Sequence, residues 1–282
     1  MSEEPSEEID TTHAHSARVY DFILGGKDNY PVDEDAARAL VRAWPRLPVS
    51  MRINRATMHR MVRWLAAEAG VRQFLDIGTG IPTSPTPHEI AQSVDPTSRV
   101  VYVDNDPIVL ARARALLTST PEGRTAYLDA DMRNPSAVLD SAELRTTLDL
   151  SRPVGVTVIA MLQFVEDAAS LMAGLARGLP AGSYVALTTA TADITPDEVT
   201  AMAEEYTRRG TPMFLRSRDE VARLMTGAGL TLLEPGVVPM HRWHPEMGPA
   251  IVKGRADSSE EPAIVDTDVN MYAAMGRIPR RR

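Results

Sequence analysis

The sequence predicts an α/β protein with a doubly wound, mostly parallel seven-stranded sheet and an N-terminal helical extension. Two observations predict this fold class. From residue 71 onward, short runs rich in Val, Ile and Leu alternate with amphipathic segments, as in a sheet whose parallel strands are joined by helices. The run VGVTVIAML, residues 154–162, is apolar at nearly every position, which is typical of a strand covered on both faces.

Three helices are predicted before the sheet. Residues 1–15 are polar and acidic, and we expect them to be loosely held. Residues 16–70 form the helical extension, which we interpret as a lid on a Rossmann-like domain over 71–282. The predicted helices run from an N-cap at Ser16 to Gly25-Gly26, from Asp33 to about Ala43 (before Pro45 and Pro48), and from Ser50 to Gly70.

Over residues 71–282, apolar runs alternate with helical periodicity. The predicted strands are Gln73–Ile77, Arg99–Asp104, Thr125–Asp129, Val154–Leu162, Ser183–Thr189, Thr231–Val238 and Met271–Arg277. The predicted helices are His88–Val94, Ile108–Leu117, Ala168–Leu179, Pro196–Arg208 and Arg218–Ala228. Residues 239–268 are polar and contain prolines, so we predict a long loop there.

The amino-acid composition argues against several classes of function. The 282 residues include 30 Lys or Arg and 38 Asp or Glu, which gives a formal charge of −8. This acidic chain lacks the clustered positive charge that non-specific binding to nucleic acid requires. The absence of cysteine excludes disulfides, Cys-ligated zinc and thiol nucleophiles. With no secretory signal pattern and no apolar run near the ~20 residues of a membrane span, we expect a cytoplasmic protein without a membrane partner.

The first predicted strand runs into the glycine pattern FLDIGTG. The glycines of Gly78-Thr79-Gly80 allow a tight turn and close approach to a ligand, and the next helix start would offer N–H donors. The pattern departs from the dinucleotide fingerprint, because Pro82 and Thr83 stand where that motif ends in glycine. Asp76 would repel a pyrophosphate but attract a cationic group, such as an ammonium or a sulfonium.

Acidic residues also follow the next two predicted strands. Asp104, followed by Asn105, could accept hydrogen bonds from two ribose hydroxyls. Asp131 could accept from an adenine amino group, while Met132 packs on the ring. Together with Asp76 these residues describe a site for a nucleoside that carries a cationic amino acid, which is S-adenosylmethionine. The alternative is that each Asp only caps the following helix.

Seven stretches, covering nearly the whole chain, resemble one known family. They are ARVYDFILGGKDNYPVD, FLDIGTGIPT followed by HEIAQ, RVVYVDNDPIVLARARALL, YLDADMRNP, PVGVTVIAMLQFVED, AGSYVALT and YAAMGRIP. The chain resembles the actinobacterial S-adenosylmethionine-dependent methyltransferases formerly catalogued as a domain of unknown function. The resemblance implies a class I methyltransferase fold with an antiparallel last strand, and cofactor contacts at Asp76, Gly78, Gly80, Asp104 and Asp131. It supplies no methyl acceptor.

The chain departs from the family pattern at two places. It has Thr86-Pro87-His88-Glu89 where the family tends to have Asn-x-His-Glu, and Gln163 where the family often has His. Gln163 can donate and accept hydrogen bonds but cannot serve as a general base. The catalytic candidates are Gln163, His88, Glu89 and Tyr20, and Thr79 and Met161 complete the expected cofactor contacts. His88 and Glu89 would equally suit the first turn of a helix.

Polar residues crowd the first predicted helix and the glycine pair after it. We interpret Arg18, Tyr20, Asn29 and Tyr30 as a lid over the cofactor and substrate, with Arg18 or Lys27 facing the cofactor carboxylate. The alternative is a docked helix with solvated charges.

No metal site is expected. His241 and His244 have no clustered third ligand, so a surface loop is favoured over a metal centre. Trp243, between them, could instead reach over the site and stack on a ligand.

The leading hypothesis is methyl transfer from S-adenosylmethionine to an O or N atom of an unidentified small molecule. One alternative is a protein that binds this cofactor without turnover, as a sensor or a sequestering protein, which the replacement of His by Gln163 favours. Another is an NAD-dependent oxidoreductase, which Asp76, Pro82 and Thr83 disfavour. The oligomeric state is not predicted by the sequence.

Overall fold

A computed structural model describes residues 10–116, 118–248 and 263–280. The strands are β1 (Gln73–Ile77), β2 (Arg99–Asp104), β3 (Arg124–Asp129), β4 (Gly155–Ile159), β5 (Tyr184–Ala190), β6 (Thr231–Leu232), β7 (Val238–Pro239) and β8 (Met271–Arg277). The helices are α1 (Ser16–Ile23), α2 (Pro31–Ala43), α3 (Leu47–Ala67), α4 (Pro87–Val94), α5 (Pro107–Leu116), α6 (Pro135–Asp140), α7 (Ala142–Thr147), α8 (Ala168–Gly178), α9 (Pro196–Arg208) and α10 (Arg218–Gly227).

The strands form one mixed sheet in the order β3-β2-β1-β4-β5-β8-β6, and β7 also pairs with β8. Strands β1 to β5 are parallel, and β8 is antiparallel to β5, as the resemblance implied. The chain runs outward from β1 to β3 on one side and from β4 to β5 on the other. In such sheets ligands bind beyond the carboxyl ends of the strands at this reversal, here between β1 and β4.

Both faces of the sheet are covered by apolar side chains. Alternate residues of β1 point to opposite faces, so Leu75 packs with Val101 in one core cluster and Phe74 packs with Val100 in the other. Helix α3 covers the second face, where a Leu65 methyl lies close to Gly155 of β4. A third cluster joins α1, α2 and α9 through residues such as Leu40 and Tyr206.

The N-terminal helices differ in detail from the prediction. His15 caps α1, accepting from the Ala17 N–H through Nδ1, and Ser16 is the first helical residue. Helix α3 begins at Leu47 rather than Ser50, because Pro48 lies in its first turn, where a missing N–H costs no hydrogen bond.

The sheet also differs from the prediction at two places. The run predicted as one strand, Thr231–Val238, contains Pro235, which cannot donate to a strand ladder, and it forms two short strands, β6 and β7, on β8. In the part of the chain that the structure describes, the sheet therefore has eight strands rather than seven. The predicted strand Val154–Leu162 ends at Ile159 because Ala160 adopts a φ of +53°.

The helices α6 and α7 were not predicted. Asn134 and Ser141 cap them, accepting from the N–H groups of Ala137 and Leu144. In the predicted loop 239–268, short 3₁₀ turns occupy 240–242, 245–247 and 266–268, while 249–262 lie outside the described residues. Of the helices in the described part of the chain, none has the length and apolar character needed to cross a membrane.

Leu65→Ala tests the packing of α3 on the sheet. The side chain is fully buried, so its truncation should lower the free energy of unfolding by about 2–5 kcal/mol through lost burial and a residual cavity. Val94→Ala, at a residue that is 39% exposed, should change it by less than about 0.5 kcal/mol. Urea denaturation measures both values, and equal losses would contradict the packing described here.

Candidate functional site

A cavity of about 360 Å³ opens at the carboxyl edge of the sheet. The loops after β1 to β4 form one wall, and residues of α1, α3 and α9 form the other. All nine residues predicted to contact the cofactor line this cavity: Asp76, Gly78, Thr79, Gly80, Asp104, Asn105, Asp131, Met132 and Met161. They converge there because parallel strands end at a common edge.

The glycine turn allows a ligand to approach the backbone closely, but it does not offer the Gly78 and Thr79 N–H groups as hydrogen-bond donors. Gly78 and Gly80 have φ values of +72° and +64°, which a residue with a side chain rarely adopts. A Cβ on Gly78 would lie 2.3 Å from Cγ of Met161. The N–H groups of Gly78 and Thr79 donate to the Val103 carbonyl, so these two groups are not free to bind a ligand.

Asp76 lies buried at the end of β1. Its Oδ1 accepts a hydrogen bond of 2.5 Å from the Thr157 hydroxyl on the neighbouring strand β4. Burial raises the pKa of Asp76 to about 6, although the Thr157 hydrogen bond and the Arg55 charge oppose this rise. A positive charge beside Asp76 would therefore favour its carboxylate form.

Asp104 joins the glycine turn to the loop after β2. Its two carboxylate oxygens accept the N–H groups of Gly80 at 2.9 Å and Asp106 at 3.0 Å. Burial raises the pKa of Asp104 despite these bonds. Each oxygen has a second lone pair, so the carboxylate can still accept from ligand hydroxyls.

Asp131 is bound to an arginine of its own loop. Both carboxylate oxygens accept from Arg133, at 2.6–3.0 Å, and this pairing lowers the pKa of Asp131. The carboxylate is thus less free to bind a ligand than the sequence suggested, whereas the buried side chain of Met132 lies in the cavity wall as expected.

The four catalytic candidates separate into two pairs. Gln163 and Tyr20 line the cavity, but His88 and Glu89 do not. His88 is buried with Nδ1 2.8 Å from the Tyr102 hydroxyl, and Glu89 accepts the Thr86 N–H at 2.7 Å in a capping box. The structure therefore places His88 and Glu89 in the first turn of α4 rather than at the site.

Of the predicted lid residues, only Tyr20 lines the cavity. The Arg18 guanidinium is buried, forms an ion pair with Asp33 and lies over the Tyr30 ring at 5.5 Å. Asn29 donates to the Asp21 carboxylate at 2.9 Å. Arg18, Asn29 and Tyr30 thus stabilise the corner between α1 and α2 rather than meeting a ligand.

Arg55 is a cavity residue that sequence reasoning missed. It lies on α3, lines the cavity, and donates to the carbonyls of Thr83 and Pro85 in the loop after the glycine turn. Lys27, predicted to face the cofactor carboxylate, is exposed and does not line the cavity. No local signal distinguishes Arg55 from the other arginines of the third helix.

A buried chain of hydrogen bonds ties the N-terminal helices to the sheet. The Tyr20 hydroxyl donates to the Met51 carbonyl at 3.0 Å, and Asn54 Nδ2 donates to that hydroxyl at 3.1 Å. Asn54 Oδ1 accepts the Thr188 hydroxyl at 2.6 Å, and the Thr188 Oγ1 accepts the Ala160 N–H at 2.9 Å. This chain fixes α1 and α3 over the turn that follows β4.

The histidine pair near the C-terminal end does not form a metal site. Within the described ranges, no group of three or more metal-ligating side chains is placed to hold an ion. His244 Nδ1 lies 2.6 Å from Glu246 Oε1. Trp243 is buried and does not line the cavity, so the predicted stacking over the site is wrong.

Comparison with known proteins identifies the family. A family model described as S-adenosyl methyltransferase matches residues 2–279. The chain belongs to this family. A DUF574 family protein from Streptomyces avermitilis MA-4680 is 54% identical, with a TM-score of 0.87 over 96% of this chain and 100% of that one. A candidate methyltransferase from Thermobifida fusca YX is 34% identical, with a TM-score of 0.84 over 99% and 100%.

More distant structures share only the fold. The plantazolicin methyltransferase BpumL, crystallised with SAH, is 13% identical, with a TM-score of 0.51 over 94% of this chain and 95% of that one. No curated protein sequence matches the chain. The protein is thus an S-adenosylmethionine-dependent methyltransferase of class I fold, and the prediction of this cofactor is confirmed. Membership of this family favours the methyltransferase hypothesis over the nicotinamide alternative.

Asp76→Asn tests the raised pKa in the methyltransferase. The folded protein keeps the Asp76 proton up to a pH of about 6, whereas the unfolded chain releases it near 3.8. The wild type should therefore lose stability relative to the variant as the pH rises between these values, by about 3 kcal/mol in total. Urea unfolding across this range measures the difference. A difference that does not vary with pH would contradict the raised pKa.

Proposed function

We propose that this methyltransferase transfers a methyl group to an oxygen or nitrogen atom of a small molecule bound between the glycine turn and the N-terminal helices. The single observation that carries the proposal is that one cavity joins the predicted cofactor edge to an apolar pocket under α1, α3 and α9. The pocket residues are mostly aromatic or sulfur-containing: Trp44, Leu47, Met51, Phe164, Met202, Tyr206 and Met213.

The charged side chains of the cavity suit the groups of S-adenosylmethionine. We propose that Asp104 accepts from the ribose hydroxyls, and that Asp76 faces the positive charge of the amino-acid part. Arg55, rather than Arg18 or Lys27, would bind the carboxylate, because it is the arginine that lines the cavity near Asp76. When bound, this cofactor supplies an electrophilic methyl group on a positively charged sulfur.

The residues of this chain contribute alignment and exclusion of water. An in-line displacement needs the acceptor atom held against the methyl group in a dry pocket, which raises the effective concentration of the reactants. We propose that α1 to α3 form a lid that supplies this enclosure. The bonds between Tyr20, Asn54 and Thr188 support the lid, because they hold it closed over the edge of the sheet.

A small molecule is a better acceptor for this site than a nucleic acid. The formal charge of −8 opposes approach of a phosphate backbone. The pocket half of the cavity is lined by apolar side chains that suit a compact organic molecule.

Turnover tests the proposed function. The wild type, S-adenosylmethionine and fractionated small metabolites should yield adenosylhomocysteine with at least one fraction. Asp104→Ala should weaken cofactor affinity by about 10- to 100-fold, because it removes hydrogen bonds to a charged acceptor. Asp129→Ala is the matched control, since Asp129 pairs with Asp104 in the sheet register but is exposed and does not line the cavity.

Each arm of this test has a distinct reading. If Asp104→Ala does not weaken cofactor binding, the proposed contact between Asp104 and the ribose hydroxyls is wrong. Tight binding without adenosylhomocysteine formation from any fraction would favour the sensor alternative over an enzyme.

Arg55→Ala tests the proposed carboxylate contact. The variant should bind adenosylhomocysteine about tenfold more weakly, because a hydrogen bond between charged groups is lost. It should bind methylthioadenosine, which lacks the amino-acid carboxylate, as the wild type does. Arg52→Ala, at an exposed position of the same helix, is the control. In calorimetric titrations, equal losses for both ligands would mean that Arg55 acts only by holding the loop at Thr83.

A further inference from the structure

The Gln163 side chain has one bound end and one unbound end. It lies in the 3₁₀ turn 162–164 and is 5% exposed. Its Nε2 donates to the Ala160 carbonyl at 2.7 Å, and this bond fixes the amide orientation because a carbonyl can accept only from the N–H end. The buried Oε1 therefore points away from Ala160, and it has no hydrogen-bond partner among the described residues.

The turn that carries Gln163 is held firmly. The Phe214 N–H donates to the Gln163 carbonyl at 2.7 Å, and the Arg216 guanidinium donates to the carbonyls of Leu162 at 2.6 Å and Val165 at 2.5 Å. The unbound oxygen thus belongs to a well-fixed side chain. A buried acceptor without a partner lowers the stability of the folded protein, so such atoms in native proteins call for an explanation.

Gln163 belongs to the cavity that the proposed function assigns to the cofactor and the methyl acceptor. The residue lines the cavity, and Met161, two positions earlier, packs against Gly78 of the glycine turn. The hydroxyl of Tyr20, another cavity residue, donates to the Met51 carbonyl and does not donate to Oε1. The unpartnered Oε1 can accept a hydrogen bond from a molecule that enters the cavity with an O–H or N–H group.

We infer that Gln163 Oε1 accepts a hydrogen bond from the group that is to be methylated, and that the substrate binds as an uncharged aromatic alcohol or amine. In the transfer the methyl carbon leaves the sulfur for the acceptor atom, adenosylhomocysteine is the leaving group, and the hydrogen of the acceptor is released as a proton to water. This inference rests on the proposed function. Trp44, Phe164 and Tyr206 supply the aromatic walls for the ring. The bond orients the acceptor atom, and Gln163 is thereby a specificity-determining residue. A methyl ether product has no such hydrogen and loses the bond, which favours its release.

The probes that test this are 2-naphthol and 2-methoxynaphthalene, titrated into protein saturated with adenosylhomocysteine. 2-Naphthol has a hydrogen-bond donor and 2-methoxynaphthalene has none. The titrations measure the ratio of their affinities. Gln163→Met removes the acceptor at similar volume and should lower the preference for the naphthol by about tenfold. Gln163→His offers one ring donor and one ring acceptor when neutral, so it should retain the preference.

Gln163→Asn provides a second variant that withdraws the oxygen by one methylene, and it should also lower the preference. Adenosylhomocysteine binding is measured first for every protein. Failure of the wild type to bind it would contradict the proposed function itself. If it binds, but the naphthol preference is unchanged in Gln163→Met and Gln163→Asn, the role of Gln163 is overturned. If the loaded wild type binds neither probe, the inferred substrate class is wrong.

Discussion

The buried carboxyl group of Asp76 is the constraint on which the site depends. It lies between two parallel strands at the point where the sheet order reverses, tied to β4 by the Thr157 hydroxyl. Its pKa of about 6 means that near neutral pH the folded protein carries a buried negative charge at a cost in stability. In the proposed complex a cationic ligand stabilises the buried carboxylate. The site therefore prefers a positively charged cofactor.

This electrostatic arrangement needs the N-terminal helices to complete it. The sheet edge supplies carboxylates, whereas Arg55 on α3 lines the same cavity and supplies a positive charge that opposes the rise of the Asp76 pKa. The hydrogen bonds through Asn54 and Thr188 reach the Ala160 N–H, at the residue whose φ of +53° directs the turn bearing Gln163. One buried polar chain therefore connects the position of α1 and α3 to the position of the turn that carries Gln163.

The sequence predicted what the sheet topology determines and missed what helix packing determines. The bounds of β1, β2 and β8 and the convergence of Asp76 and Asp104 follow from local periodicity and from the common edge of parallel strands. The sequence around Arg18 and Arg55 does not indicate which of the two arginines lies on the cavity wall. Only tertiary packing buries the first against Asp33 and leaves the second on the cavity wall. The assignment of Trp243 failed for the same reason, because its burial depends on contacts with α3.

The presence of Gln163, where the family often has histidine, is consistent with a pocket that contains no general base among the described residues. Burial raises the pKa of Tyr20, so this cavity residue remains a protonated phenol and does not serve as a base near neutral pH. His88 and Glu89, the other two candidates for a base, lie in the first turn of α4 and do not line the cavity. A pocket of this kind selects a neutral acceptor by shape and by one hydrogen bond rather than by ionising it. The acceptor must then bring its own nucleophilicity, and the protein contributes orientation and a dry contact with the methyl group.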